Sequence, residues 1–184
     1  MNLYAYAGSN PVAFTDPFGL CSEPGDSVQV QVTRNCIGHT MTPFGTIAIV
    51  ETDTVTVWAH RVTDASTLNQ LSGVIGGFSG GSSAYSAQSV QSAYAPVMAS
   101  GMYTFTVPNL GKPGGVFAAD GGMANGNAGF VALRADVWAA LSTSKGCEIV
   151  AHEGVHLVQH SRGKGPGTAG NEVAAQGAQT KFGC

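Results

Sequence analysis

The chain has 184 residues, of which 26 are glycine and 10% are charged, and its net charge is −3. This length fits one compact domain and excludes a large multidomain assembly. The 8 Lys and Arg residues form no basic cluster, so the chain lacks the positive patch that binds nucleic acid phosphates. It also lacks a run of about 18 apolar residues that could cross a bilayer. We therefore expect neither nucleic acid nor a membrane as a partner.

Residues 1–20 differ in character from the rest of the chain. Aromatic residues there accompany two turn-forming pairs, Asn10-Pro11 and Asp16-Pro17. From the residues alone, this pattern predicts a β-hairpin of a larger β structure. The first residues have neither the charged region nor the apolar region of a secretory signal peptide. We interpret residues 1–20 as the end of one module and residues 21–184 as a second domain.

The same stretch, LYAYAGSNPVAFTDPFGL, resembles the core signature of the RHS-repeat family, LYxYxxxNPxxxxDPxGL. In that family the signature closes a β-cocoon shell and a variable toxin follows it. The resemblance implies that residues 21–184 are a toxin domain, exported by a specialised secretion apparatus of the producing bacterium and delivered into a target cell. It implies self-cleavage between Leu20 and Cys21, with Asp16 as a participant. It also implies two partners, the RHS shell of the parent protein and a cognate immunity protein.

The region after residue 21 begins with strands. Residues 28–62 show β-type alternation bounded by Gly and Pro, which predicts two or three strands. Residues 65–111 carry no charged side chain, and residues 72–101 within them are rich in Gly, Ser and Ala, which predicts a loop and one helix. Residues 101–110 and 121–134 are predicted to be strands separated by a glycine-rich turn.

Helices are predicted in the last third of the chain. Residues 135–144 form a short candidate, and residues 147–162 form a stronger one that ends at Gly163. Thr168 is a candidate N-cap for a final helix that continues to about Lys181. A β-rich part followed by a helical part favours an α+β fold over alternating βαβ units.

The stronger helix contains an HExxH motif from His152 to His156. Two histidines at positions i and i+4 lie one turn apart on the same helix face, so both imidazoles can reach one metal ion. Glu153 is the candidate general base that takes a proton from a water molecule at the metal. Zn²⁺ is the predicted ion, because two histidines and a carboxylate suit it.

A helical wheel places the polar residues of this helix in one sector about 120° wide. That sector holds His152, Glu153, His156, Gln159 and His160, and apolar residues fill the remainder. Isolated buried polar groups are costly, and a metal would supply partners for them. The alternative is a solvated stripe of His and Glu on a surface helix.

A catalytic zinc site usually takes three protein ligands, so a third is required. His160 stands about 12 Å from His152 along the helix, too far to share one ion, and is predicted to support the site or face the substrate. Glu172 follows a flexible glycine-rich linker and can approach, although an acid in the first turn of a helix also complements its dipole. The other candidates are Asp136 and two histidines in strand or turn contexts, His39 and His60, which are more often structural.

Together the two helices resemble the gluzincin branch of zinc metallopeptidases, with HExxH on one helix and a Glu on the next, here in the sequence Asn171-Glu172-Val173-Ala174-Ala175. The resemblance implies a zincin-like fold in which His152, His156 and Glu172 bind Zn²⁺. The chain departs from thermolysin-like members in a slightly shorter gap between His156 and Glu172. It also has Gln176 where they carry an acid that supports the first histidine.

Two further features concern the surroundings of the motif helix. In zincins a strand that precedes this helix offers its edge to an extended peptide, and residues 129–133 are placed to do so, although they can equally form a core strand. Of four cysteines, Cys147 and Cys184 could form a disulfide that joins the two ligand-bearing helices. Sequence alone does not give the connectivity.

The leading interpretation is a zinc-dependent endopeptidase toxin that hydrolyses peptide bonds of a target-cell protein. One alternative is a membrane-perturbing toxin in which residues 65–111 insert into a bilayer and the metal is structural. Another is a zinc hydrolase with a non-peptide substrate, which would use the same ligands.

Overall fold

The computed structural model describes residues 26–43, 45–99, 101–106, 122–126, 128–164 and 169–184. These residues form a mixed α+β fold, so the predicted class is confirmed. The signature in residues 1–20, and with it Asp16, Leu20 and Cys21, lies outside the described residues.

Seven strands are present among the described residues. They are β1 (Ser27–Thr42), β2 (Gly45–Arg61), β3 (Ser79–Gly80), β4 (Met102–Phe105), β5 (Gly122–Asn125), β6 (Phe130–Arg134) and β7 (Phe182–Gly183). Five of them form one sheet in the order β1-β2-β4-β6-β5, in which β4 and β6 are parallel and the other neighbours are antiparallel. The unpredicted strand β7 pairs with β3.

Residues 28–62 form two strands, as predicted. β1 and β2 make a long antiparallel hairpin, and β2 joins the sheet where His60 and Arg61 pair with Thr104 and Tyr103 of β4. Near this junction Val30 and Val57 are buried in an apolar cluster that includes residues of β4 and β6. The hairpin is therefore anchored to the sheet at its open end.

The prediction of a loop and one helix for residues 65–111 is wrong, because this region contains two helices. They are α1 (Ala65–Gly76) and α2 (Ala87–Met98), with β3 and β4 as further elements. Asp64 caps α1 by accepting a hydrogen bond from the Thr67 amide, and Ser86 caps α2 in the same way. The outer faces carry Ser, Asn, Gln and Gly instead of charges, which conceals the amphipathic pattern.

The described residues form two buried apolar clusters, and we call the larger one the main core. Both helices contribute to it. Leu71 and Ile75 of α1, and Val90, Tyr94 and Val97 of α2, are buried there. Within the described ranges, no helix is long and apolar enough to span a membrane.

In the last third of the chain, the last two helices are close to their predicted positions, whereas the first begins at residue 135 as predicted but ends at residue 139 and not at 144. They are α3 (Ala135–Ala139), α4 (Ser144–Ser161) and α5 (Ala169–Gln179). Gly163, with a φ of 72°, follows α4 in the left-handed conformation that glycine adopts readily. The proposed cap Thr168 lies outside the described residues.

Helix α4 crosses the main core and packs closely against α2 at Gly154. A Cβ atom built on Gly154 would lie 2.4 Å from Val90 and 2.7 Å from the Tyr94 ring. The Tyr94 hydroxyl is buried and donates a hydrogen bond of 2.7 Å to the Val150 carbonyl of α4. The absence of a side chain at Gly154 therefore allows this tyrosine to lie against the motif helix.

We predict that Gly154→Ala lowers the free energy of unfolding by about 1–3 kcal/mol, because the added methyl group overpacks the contact with α2. Gly177→Ala is the matched control, since Gly177 is an exposed glycine of α5 with open space around its Cα. The control should raise stability by up to about 1 kcal/mol, as Ala favours helix over Gly. Urea denaturation measures both, and equal effects would contradict the packing at Gly154.

The disulfide predicted between Cys147 and Cys184 is confirmed. Cys147 lies in the first turn of α4. Cys184 directly follows β7, the short strand that comes after the last helix α5. Phe182, between them in the chain, is buried in the main core. The bond therefore ties the chain end that follows α5 to the start of the motif helix.

We predict that Cys147→Ser and Cys184→Ser each lower the free energy of unfolding by about 3–4 kcal/mol, the loop-entropy value for a separation of 37 residues. The double variant should lose about as much as either single variant, because all three remove the same bond. Denaturant titration tests this, and additive losses would show that the bond is not the source of the stability.

Candidate metal site

Helix α4 presents the motif with its apolar side buried, as the helical wheel predicts. Thr143 caps the helix by accepting a hydrogen bond of 3.1 Å from the Gly146 amide. The buried apolar residues of the helix include Val150, Ala151, Val155, Leu157 and Val158. The polar sector is also largely enclosed, since Glu153 is 3% exposed and Gln159 is 1% exposed. A solvated surface stripe therefore does not describe this helix.

Helix α5 brings Glu172 to the two motif histidines. Its carboxylate oxygens lie 3.1 Å from His152 Nε2 and 3.2 Å from His156 Nε2, and the two Nε2 atoms are 3.0 Å apart. Zinc bonds to nitrogen and oxygen ligands are about 2.0–2.2 Å long, so a tetrahedral ion sets its ligands about 3.3 Å apart. The spacing and the donor types both suit such an ion, and this group can hold a metal.

The side chain of His152 is mostly buried, which affects its charge. Burial lowers the pKa of His152, and the neighbouring His156 lowers it further, while Glu172 acts in the opposite direction. A lowered pKa keeps the imidazole neutral near pH 7, and the neutral ring is the form that binds a metal.

Two glutamines contact the other ring nitrogens of the histidines. Gln179 of α5 lies 2.7 Å from His152 Nδ1, and Gln159 of α4 lies 2.8 Å from His156 Nδ1. Such contacts orient the rings so that each Nε2 points to the cluster. Sequence reasoning missed both roles. Gln176, the residue at the position of the expected acid, instead donates a long hydrogen bond of 3.4 Å to Glu172.

Glu153 is enclosed between α4 and strand β5. A Cβ atom built on Gly122 of β5 would lie 2.8 Å from Glu153 Cγ and 2.9 Å from its Oε1, so glycine at this position leaves room for the glutamate. Burial raises the pKa of Tyr94 well above its usual value, and the negative charge of Glu153 adds to this rise. Glu153 is a buried acid that directly follows His152 in the sequence.

His160 lies one helical turn beyond His156 and outside the ligand group, as predicted. The side chain of His160 packs against Gly126. A Cβ atom built on that glycine would lie 2.3 Å from the Cβ atom of His160. Burial lowers the pKa of His160, the nearby His156 adds to this, and a hydrogen bond with the Ala124 backbone opposes it. The residue also lines a cavity of about 530 Å³ between α2 and the end of α4.

The other candidate ligands lie elsewhere in the described chain. His60 is exposed on β2, and Asp136 pairs with Arg134, whose guanidinium lowers the pKa of that carboxyl. His39 is in register with Ala48 on the hairpin, and its side chain lies outside the described part. Among the candidates whose side chains are described, Glu172 is the one that meets the motif histidines.

Of the two alternatives that the sequence left open for residues 129–133, the structure shows the core strand and not the free sheet edge. These residues lie in the turn before β6 and in β6 itself, which pairs with β4 on one side and with β5 on the other. Strand β5 is instead the edge of the sheet as far as the described residues show. Because Gly122 lies against Glu153 and Gly126 against His160, β5 runs along α4 in the same direction.

Comparison of the chain with protein-family models, curated proteins and solved structures gives no match. The chemistry of the site is therefore inferred from its own residues.

We predict that protein loaded with zinc and then freed of loosely held metal retains about one zinc per chain. His156→Ala and Glu172→Ala should lose it, because each removes one of the three ligands. His60→Ala and Glu148→Gln are matched controls that remove an exposed histidine and an acid of α4 outside the group, and both should retain the metal. Elemental analysis gives the stoichiometry. Retention by His156→Ala, or loss by the controls, would contradict this site.

Proposed function

We propose that this chain is a zinc-dependent endopeptidase. The observation that carries the proposal is the meeting of His152, His156 and Glu172, with ligand atoms all within 4.8 Å of one another. Two histidines of HExxH on one helix and a glutamate on the next are the ligand arrangement of the gluzincins. The mixed sheet with β5 along α4 is compatible with a zincin-like fold.

The three ligand residues would hold the ion through two imidazole nitrogens and one carboxylate. Zinc at this position would supply Lewis acidity, which polarises a scissile carbonyl and lowers the pKa of a water molecule to about 7. The burial of both histidines excludes bulk water from the inner side of the group and strengthens its electrostatic interactions.

Glu153 would act as the general base. It follows His152 directly in the chain, and Gly122 of β5 leaves space for its carboxylate under the strand. In peptide hydrolysis it would take the proton of the attacking water and transfer it to the nitrogen of the leaving amine. The enclosed position restricts the carboxylate to few orientations, which favours such a transfer.

An extended peptide would bind along β5. In the part of the chain that is described, this strand has one neighbour, β6, and it lies beside the polar face of α4. Addition of a strand satisfies the backbone of the substrate without reading its sequence, and pockets for side chains then set specificity. Strand β5 thus replaces residues 129–133 as the candidate for substrate binding.

We also propose that the enzyme is the C-terminal toxin of an RHS protein. The support is the signature in residues 1–20, after which the peptidase domain begins. Self-cleavage between Leu20 and Cys21, with participation of Asp16, would separate this domain from the shell. In this proposal the toxin is delivered into a target cell and has a cognate immunity protein as a partner.

We predict that Glu153→Gln retains zinc but lowers kcat/KM for peptide hydrolysis by at least about 100-fold, because the general base is lost. Its toxicity on expression in cells should fall in parallel. Glu148→Gln is the matched control, since Glu148 is an acid of the same helix that pairs with Lys145. A quenched fluorescent peptide mixture and elemental analysis measure the two properties.

Full activity of Glu153→Gln would contradict the hydrolytic mechanism. A zinc-loaded wild-type protein that is toxic through Glu153 but cleaves no peptide would indicate a non-peptide substrate. Equal release of dye from liposomes by wild type and Glu153→Gln would favour the membrane alternative.

A further inference from the structure

Gln159 is a buried polar residue one turn after the second motif histidine. Its side chain is 1% exposed. Its Oε1 atom lies 2.8 Å from His156 Nδ1, and its Nε2 atom lies 2.9 Å from the Asn171 carbonyl and 3.4 Å from the Tyr85 hydroxyl. One amide thus contacts both helices of the proposed metal site.

The Asn171 carbonyl fixes the orientation of this amide. A backbone carbonyl can only accept a hydrogen bond, so the group that faces it must be the amide nitrogen of Gln159. The amide oxygen then faces His156, and because this oxygen can only accept, His156 Nδ1 must carry a proton and donate it. In the neutral ring, Nε2 is then left with a lone pair that points toward Glu172 and His152.

The same amide also positions the third ligand. Asn171 directly precedes Glu172 in the first turn of α5. The hydrogen bond to its carbonyl therefore holds the backbone next to Glu172 against the end of α4. Ring orientation of His156 and placement of Glu172 both depend on one side chain.

We propose that Gln159 is a positioning residue that selects the metal-binding tautomer of His156 and couples it to Glu172. This inference rests on the proposed metal site and adds a residue that the motif does not contain. Groups that hydrogen-bond to a metal-binding histidine typically change metal affinity by about 10–100-fold when they are removed. The neutral amide supplies this support without adding a second negative charge beside Glu172.

Gln159→Leu tests the proposal, with Gln159→Met as a second variant in case Leu is not accommodated. Gln91→Leu is the matched control, because Gln91 also joins two helices by donating to the Ile75 carbonyl, at 3.0 Å, away from the site. Three properties are measured: the zinc Kd by competition with a chromophoric chelator, the Tm of the metal-free protein, and the His156 tautomer by long-range ¹H–¹⁵N NMR of the metal-free protein.

Wild type should show His156 protonated at Nδ1 when neutral. Both Gln159 variants should bind zinc about 10–100-fold more weakly and lose the preference for this tautomer. Gln91→Leu should lower Tm while the zinc Kd and the tautomer stay as in wild type. A residue that only supports the fold would lower Tm without a change in tautomer.

An Nε2-protonated neutral His156 in wild type, or an unchanged zinc Kd in both Gln159 variants, would overturn the proposal. These results are distinct from failure of the proposed function. Wild type that binds zinc and shows the expected variant effects, but cleaves no peptide, would support the positioning role and contradict the peptidase activity. Wild type that binds no zinc would overturn both.

Discussion

The contact between α4 and α5 determines what this site can do. The motif helix alone supplies two imidazoles, and the third ligand atom comes from a helix that follows a glycine-containing linker. Small buried residues of α5, Ala175 and Ala178, allow the helices to approach closely. The Cys147–Cys184 bond and the buried Phe182 hold the chain end after α5. The position of Glu172 therefore depends on restraints distributed along the whole C-terminal segment.

Two glutamines, one on each helix, orient the rings of the two histidines. Gln159 and Gln179 contact Nδ1 of the two histidines, so the opposite nitrogen of each ring faces the carboxylate of Glu172. Glycine contributes on the other sides, because Gly154 admits Tyr94 and Gly122 admits Glu153. The charged groups are few, and their surroundings are built from amides, small residues and backbone. This follows from a composition that is poor in charge and rich in glycine.

The motif helix could be predicted because its information is local. The spacing of His152 and His156 fixes a shared face, and the apolar residues between them mark the buried side. The role of Glu172 as the third ligand was harder to predict. It was inferred from the resemblance to gluzincins and from a linker that permits the last helix to turn back. Gln159 was placed on the polar sector, but its partner Asn171 lies on another helix, so its role depends on tertiary structure. Helices α1 and α2 were missed as a pair because serine and glycine occupy positions where charges usually mark an exposed face.

The order of the strands in the sheet could not be predicted from local sequence patterns, because it too depends on tertiary structure. Residues 130–134 read correctly as a strand, yet whether a strand lies at the edge depends on which strands pair beside it. Strand β5, with only four residues, carries a weak signal of its own. Its two close approaches to α4, at Gly122 and Gly126, identify it as the strand beside the candidate site. The cysteine pair was inferred from its position near the helix ends, and this inference was correct.

The central claim is that one metal ion lies between two helices of this chain. A crystal structure of the zinc-loaded protein, with anomalous data collected on both sides of the zinc edge, tests it most directly. The account predicts one strong anomalous peak within bonding distance of Nε2 of His152, Nε2 of His156 and the carboxylate of Glu172. No peak at this position, or zinc held by other residues while these three bind no metal, would contradict it.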